Sequence, residues 1–326
     1  MAEAMKLIPE SLSMKRLIWE QLSKPSLGTF SRYFVLTWAL AGSGIVLFTR
    51  APSPITFVLG SIILGLAQHR MALLGHDAAH GNACRNRFLN DAIGIAGCIF
   101  PLGITLSSYR CLHFPHHRDP AGPGDPELPV RRAMGKNWAG DLSTTRGLQL
   151  WGRSLLGFSL AELSVFVAKL PPGSRKERIY LASYWLIAAA SAVLLHQEAL
   201  LALWFFALST TYFSTLRIQT WHEHSLPESN EAATNRFSLP NGIYRILFPL
   251  NSWCHYEHHR FPKVPFYHLP KVRALCLEDR IVSFSEMLAK ERERCSPLAA
   301  KNFFLVQEEV DSAPRKQNQS ERSRSA

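Results

Sequence analysis

The sequence predicts an all-α integral membrane protein. Two transmembrane helical hairpins, giving four spans, stand under a cytoplasmic helical cap that carries a histidine-rich metal site. Three observations lead there. Uncharged apolar runs come in two closely spaced pairs. Nine of the 13 histidines fall into four places: His76/His80, His113/His116/His117, His224 and His255/His258/His259. Lys and Arg flank the apolar runs, and only Arg50 falls in a proposed outer turn.

Residues 1–31 read as a cytoplasmic lead-in, partly helical and too interrupted by charge to be a signal peptide. A membrane domain follows over residues 32–270. Its first run, 33–49, lies between Arg32 and Arg50 and is at the lower edge of the roughly 17–25 residues that span a bilayer. Ala51-Pro52-Ser53-Pro54 makes a tight turn, and a second run goes from Ile55 to Leu74. This second helix is expected to continue past the membrane, because the eight residues from Gln68 to His76 add about 12 Å of helix. His76 and His80 would then stand clear of the hydrocarbon on a rigid stem.

Residues 88–107 are apolar but contain Gly94, Gly97, Pro101 and Gly103, which disfavour a straight span. A crossing there would also part the first two histidine clusters. A re-entrant or interfacial segment returning to the same side is therefore expected. The Pro- and Gly-rich stretch 118–127 is an irregular loop, and 147–169 suits one helix on the membrane surface, ended by Pro171-Pro172-Gly173. The second hairpin comprises 180–195 and 199–216, turning at His196-Gln197-Glu198. The segment from Gly242 to Pro249 dips into the interface. A cytoplasmic helical segment (271–310) and a polar, disordered tail (311–326) complete the chain. The charge bias puts both termini and every histidine cluster on the cytoplasmic side.

A net charge of +11 permits nucleic-acid or anionic-lipid binding. Here the basic residues border apolar runs, so the lipid bilayer is the expected partner and nucleic acid is not. The six cysteines show no paired spacing and read as free thiols in a reducing compartment. No G-x-G-x-x-G follows a strand, so no dinucleotide is expected.

On a helix, residues i, i+3 and i+4 share a face, so each cluster can project its imidazoles in one direction. Isolated histidines such as His69, His196 and His268 are better read as packed or hydrogen-bonded. The clusters are not, because that many buried imidazoles need a common partner. One metal cannot use eight or nine nitrogens, and two metals with four or five each would. Imidazole suits iron, copper, zinc and nickel, so spacing leaves the element open. Two redox metals with open positions beside a bilayer point to dioxygen chemistry on a lipid-like substrate. Asp77, Asp125 and Glu257 are candidates to accept the distal N–H of metal-binding rings. Trp221, Trp253, Tyr256 and Phe266 are candidates for a substrate entrance or for interfacial anchors. Pro115 suits only a helix's first turn, which would put His113 at or before a helix start.

The motifs His76-x-x-x-His80, His113-x-x-His116-His117 and His255-x-x-His258-His259 resemble the three histidine boxes of the membrane fatty acid desaturase superfamily. Gly75-His76-Asp77, Asp125-Pro126-Glu127 and Phe261-Pro262-Lys263-Val264-Pro265 agree with it, from about Arg32 to Leu269. The resemblance implies a non-haem centre of two iron ions that activates O2. The substrate would be a fatty acyl lipid or acyl thioester, and electrons would come from an external donor of ferredoxin or cytochrome b5 type. It makes His76, His80, His113, His116, His117, His224, His255, His258 and His259 the ligands, with His222 competing with His224, and assigns no catalytic residue beyond them. The implied activity is O2-dependent introduction of a double bond into an acyl chain. Carotenoid ketolation or hydroxylation and acyl hydroxylation are alternatives within the superfamily. A metal-binding membrane protein without catalysis is a third reading, which would call for polar residues inside the spans.

Overall fold

The computed structural model describes residue 16 and residues 18–120, 122, 124–134, 144–158, 160–224, 234–237, 242 and 244–275. Within these, the side chains of 131–134, 144–148, 150, 221, 222 and 244 are not described. The described residues form helices and turns, with no β-strand among them. The tail, most of the proposed C-terminal segment and the first part of the lead-in lie outside them.

The first hairpin is α1 (Leu27–Arg50) and α2 (Pro54–Ala79). Ser53 begins α2 with a reciprocal cap: its hydroxyl accepts from the Thr56 amide and Thr56 returns a bond to the Ser53 amide, with Pro54 preset at the first helical position. The two helices meet backbone to backbone. A Cβ on Gly44 would stand 2.8 Å from the Gly60 carbonyl oxygen, and the reverse is also true. As expected, α2 carries His76 on the same rod as its apolar span, and His80 caps its end.

After α2 the chain turns through α3 (Arg87–Gly94), a π-turn at Ile95–Ile99 and a short 3₁₀ turn ending at Gly103, whose φ is +80°. It then bends by 93° into α4 (Leu106–Arg118). This broken segment brings the second cluster back to the first instead of carrying it away.

Pro115 corrects one expectation. It sits deep inside α4, so His113 is well within the helix and not at its start. Proline there forfeits the bond to the carbonyl four residues back, and that residue, Cys111, is on the exposed side.

Helices α5 (Glu127–Met134), α6 (Thr144–Leu155) and α7 (Leu160–Lys169) follow. The single surface helix expected over 147–169 is thus two helices, parted at Gly157 with φ +81°. Glu162 of α7 forms an ion pair with Arg217.

The second hairpin is α8 (Arg175–Leu194) and α9 (Glu198–Ala207), which runs through a π-turn at Leu208–Tyr212 into α10 (Phe213–His224). Gly65 of α2 receives this turn, since a Cβ there would lie 2.5 Å from the Thr211 Cβ. Among the described residues, three helices are long and apolar enough to cross a membrane: Leu27–Arg50, Pro54–Ala79 and Glu198–Thr220. Helix α8 is not among them. Its first turn holds Arg175, Lys176, Glu177 and Arg178, which shortens the apolar remainder below the ~20 residues of a comfortable span.

Short helices α11 (Tyr244–Leu247), α12 (His255–Arg260) and α13 (Leu269–Leu275) close the described chain. A core of Phe30, Leu74, Ala78, Ile99, Cys254 and Val264 joins α1, α2 and the last helices beneath the histidines. A second core around Leu64, Met71, Leu203 and Ala207 holds the hairpins together.

Candidate metal centre

The structure brings all nine predicted imidazoles together. They form two adjoining groups, His76/His80/His113/His117/His258 and His116/His224/His255/His259, and within each group one nitrogen from every ring lies within 4.8 Å of the others. The division follows helix geometry. Pairs at i and i+4 (His76/His80, His113/His117 and His255/His259) stay in one group. The intervening His116 and His258, about 100° away round the helix, cross to the other. Each cluster was expected to point one way, but α4 and α12 each serve both groups. His117 and His259 stack at the seam with centroids 4.2 Å apart.

The contacts within the first group fit a cation better than hydrogen bonding. The Nε2 of His113 is 3.1 Å from that of His80 and 2.8 Å from that of His117, which is itself 3.1 Å from that of His258. An imidazole nitrogen offers one proton or one lone pair, so it cannot serve two such partners. Converging lone pairs around an ion can. Bonds of about 2.1 Å at right angles would give nitrogen–nitrogen edges of about 3.0 Å. His259 is buried with neither ring nitrogen hydrogen-bonded, and His117 Nδ1 is likewise unmatched. Burial first, and neighbouring rings next, hold His255, His258 and His259 well below the ordinary imidazole range. They are therefore neutral and keep the lone pair a metal needs.

Carboxylates set the ring tautomers. Asp125 accepts from His116 Nδ1 at 2.8 Å. Glu223 Oε1 lies 3.4 Å from His255 Nδ1, and Glu127 lies 3.6 Å from His113 Nδ1. A proton held at Nδ1 turns each Nε2 lone pair inward.

The end of α2 is pinned from three sides. Arg110 donates to the Ala78 and Ala79 carbonyls while paired with Asp91, Asn90 donates to Ala78, and Lys263 donates to the His80 carbonyl at 2.7 Å. These donors satisfy carbonyls that a helix end leaves open.

A cavity of about 190 Å³ opens beneath the rings. His76, His113, His116, His224, His255 and His258 line its head, and its walls include Leu73, Ile99, Leu112 and Phe213. Tyr109 lines it too and stacks on His113 with centroids 5.0 Å apart.

The family model for fatty acid desaturases matches residues 52–282, more than half of the chain. The chain belongs to the fatty acid desaturase family. Dihydrorhizobitoxine desaturase of Bradyrhizobium elkanii is similar, 25% identical over 304 residues that cover 83% of this chain and 82% of the relative. A putative sphingolipid delta(4)-desaturase/C4-monooxygenase of Caenorhabditis elegans is 24% identical over 220 residues, 66% of this chain and 57% of its own length. Family and relatives together make this chain an oxidoreductase of desaturase type.

Several expectations for this desaturase-family chain need correction. Of the three carboxylates proposed to hold ligand rings, only Asp125 does so. Asp77 instead accepts from Asn82, which also reaches the Pro262 carbonyl and so ties the first box to the loop after the third. Glu257 is buried against Arg236 at 2.8 Å and Arg273 at 3.5 Å. Glu223, 3.4 Å from His255 Nδ1, takes the role in their place, and Glu127 approaches His113 Nδ1 at 3.6 Å. Of the four aromatic residues proposed for an entrance, Phe266 lines the cavity, whereas Tyr256 is fully buried beneath Arg236 and Arg260. Trp253 packs under Arg273, and the Trp221 side chain lies outside the described residues. So does the His222 side chain, while His224 is in the second group. No cysteine joins either group among the described residues.

Proposed function

We propose that this chain is an O2-dependent membrane desaturase that introduces a double bond into a fatty acyl chain at a histidine-bound di-iron centre. The observation that carries the reading is the pair of imidazole groups, five and four, set at the head of an apolar cavity. His76, His80, His113, His117 and His258 would hold one iron. His116, His224, His255 and His259 would hold the other. Two irons in these sites would activate O2, the oxidant that takes two hydrogens from an unactivated chain and, with two electrons from the donor, ends as water.

The chain's own residues do the rest. Asp125, Glu127 and Glu223 keep protons on Nδ1, so the facing nitrogens stay available as ligands. Leu73, Ile99, Leu112 and Phe213 exclude water along the cavity and align an alkyl segment under the rings. Tyr109 fixes the plane of His113. Electrons would come from an external donor of ferredoxin or cytochrome b5 type.

The large exposed apolar side chains of α1, α2 and α8, such as Val35, Ile55, Leu186 and Leu194, support burial of both hairpins in a bilayer. We place the fourth crossing at α8, and both termini and the histidines on the cytoplasmic side. The match to a relative named as desaturase/C4-monooxygenase favours hydroxylation as the second reading.

Expression in a host with defined lipids, with and without air and under ¹⁸O2, tests both. Desaturation gives an air-dependent product two mass units lighter with no label, and hydroxylation gives a labelled product. Lipids unchanged in air would refute the enzyme reading.

A further inference from the structure

His69 has no part in either metal group, yet it faces the same cavity. It lies seven residues before His76 on α2. That is nearly two full turns, so the two residues share a face, with their backbone positions about 10.5 Å apart along the axis. His69 is 1% exposed, and its two ring nitrogens make no hydrogen bond of normal geometry. One side of the ring meets the backbone at Leu247 without closing a proper bond. Around it the cavity is largely hydrocarbon: Ala72, Leu73, Ile99 and Leu102.

A second unmatched group lies on the segment that follows Leu247. The turn at Leu250 and Asn251 has φ values of 56° and 58°, and it presents Ser252, whose hydroxyl oxygen is buried without a partner. Leu250, Asn251 and Ser252 all line the cavity. A pocket for the plain end of an alkyl chain has no use for either group, since each forfeits its water without a replacement.

We infer that the deep end of the cavity binds a hydrogen-bonding substituent of the substrate, of the hydroxyl class, with His69 as the residue that selects it. This rests on the acyl-chain reading of the cavity and narrows it: the substrate is not a simple methyl-ended chain. A hydroxyl both donates and accepts, so it suits an imidazole in either tautomer. The separation of His69 from His76 is roughly the length of an extended run of about eight carbons. The substituent would then lie on the order of eight carbons from the segment under the rings.

Binding of methyl decanoate and methyl ω-hydroxydecanoate to the purified, iron-loaded protein in nanodiscs tests this, after correction for partition into empty discs. The wild type should favour the hydroxyl ester about tenfold, the worth of one hydrogen bond. His69→Leu should lose that preference while keeping its iron and binding the plain ester at least as well. His69→Gln, which retains a donor and an acceptor, should keep most of the preference. Equal ratios in wild type and His69→Leu, or a wild type that favours the methyl-ended ester, would overturn the assignment of His69 alone. A wild type that binds neither ester would overturn the acyl-chain reading, and this inference with it.

Discussion

Asp125 does more for the candidate centre than its place outside the histidine boxes suggests. Its oxygen holds the proton on His116 Nδ1 at 2.8 Å, and both groups are buried. Asp125→Ala should lower iron affinity or turnover about 10–100-fold, the usual cost of losing such a partner. Iron per chain by mass spectrometry, beside product formation, would check it; a variant with unchanged iron and rate would contradict it. Glu223→Gln should act in the same direction through His255, and more weakly, because its contact is longer at 3.4 Å. The eight clustered rings were legible from spacing, since few other arrangements give so many imidazoles a use, whereas His224 was marked out from His222 only by the family resemblance. The rings' carboxylate partners were not legible. Asp77 and Glu257 each adjoin a clustered histidine, yet a neighbour on a helix points about 100° away. Glu223 adjoins His224 but reaches His255, a contact that only the fold creates. The sorting of His116 and His258 into the opposite groups was hidden for the same reason: spacing defines a face but not what stands before it.

Among the elements, α2 bears the most. It spans, packs against α1 and the α9–α10 helix, and delivers His76 and His80. Its glycines permit the close approach. Gly65→Val would drive a side chain into the Thr211 Cβ and the Tyr212 backbone, separating α2 from the π-turn. A loss of about 1–3 kcal/mol of stability is expected, as for overpacking elsewhere. Thermal unfolding in detergent measures it, and an unchanged midpoint would contradict the packing described. The extension of α2 beyond its apolar run was readable because the helical pattern never broke. The interior position of Pro115 was not, because proline's preference for a first turn is a local rule and ring placement on both sides of it is a tertiary demand. The break at Gly157 was missed for a related reason: one glycine in an amphipathic stretch is usually tolerated.

For the molecule as a whole, the proposed topology sets every ring on one side and the turn at His196 on the other. Cysteine labelling with a membrane-impermeant reagent, in a chain otherwise lacking cysteine, tests this. Cysteine at Gln197 should react only from outside the cell and cysteine at position 111 only after permeabilisation. Reaction of both from the same side would contradict four crossings. Helix α8 is the proposed crossing with the least support from its own length and composition. Its uncharged run over 180–195 marks it as a span, its charged first turn leaves that run short, and the exposure of its apolar side chains fits contact with lipid. The central claim, that nine imidazoles hold a pair of irons, is tested most directly by metal analysis with Mössbauer spectroscopy on protein expressed with ⁵⁷Fe and purified. The account predicts two irons per chain, high-spin and nitrogen-bound, with loss of iron in His80→Ala and His259→Ala. One metal or none per wild-type chain, or two irons kept unchanged in both variants, would contradict it.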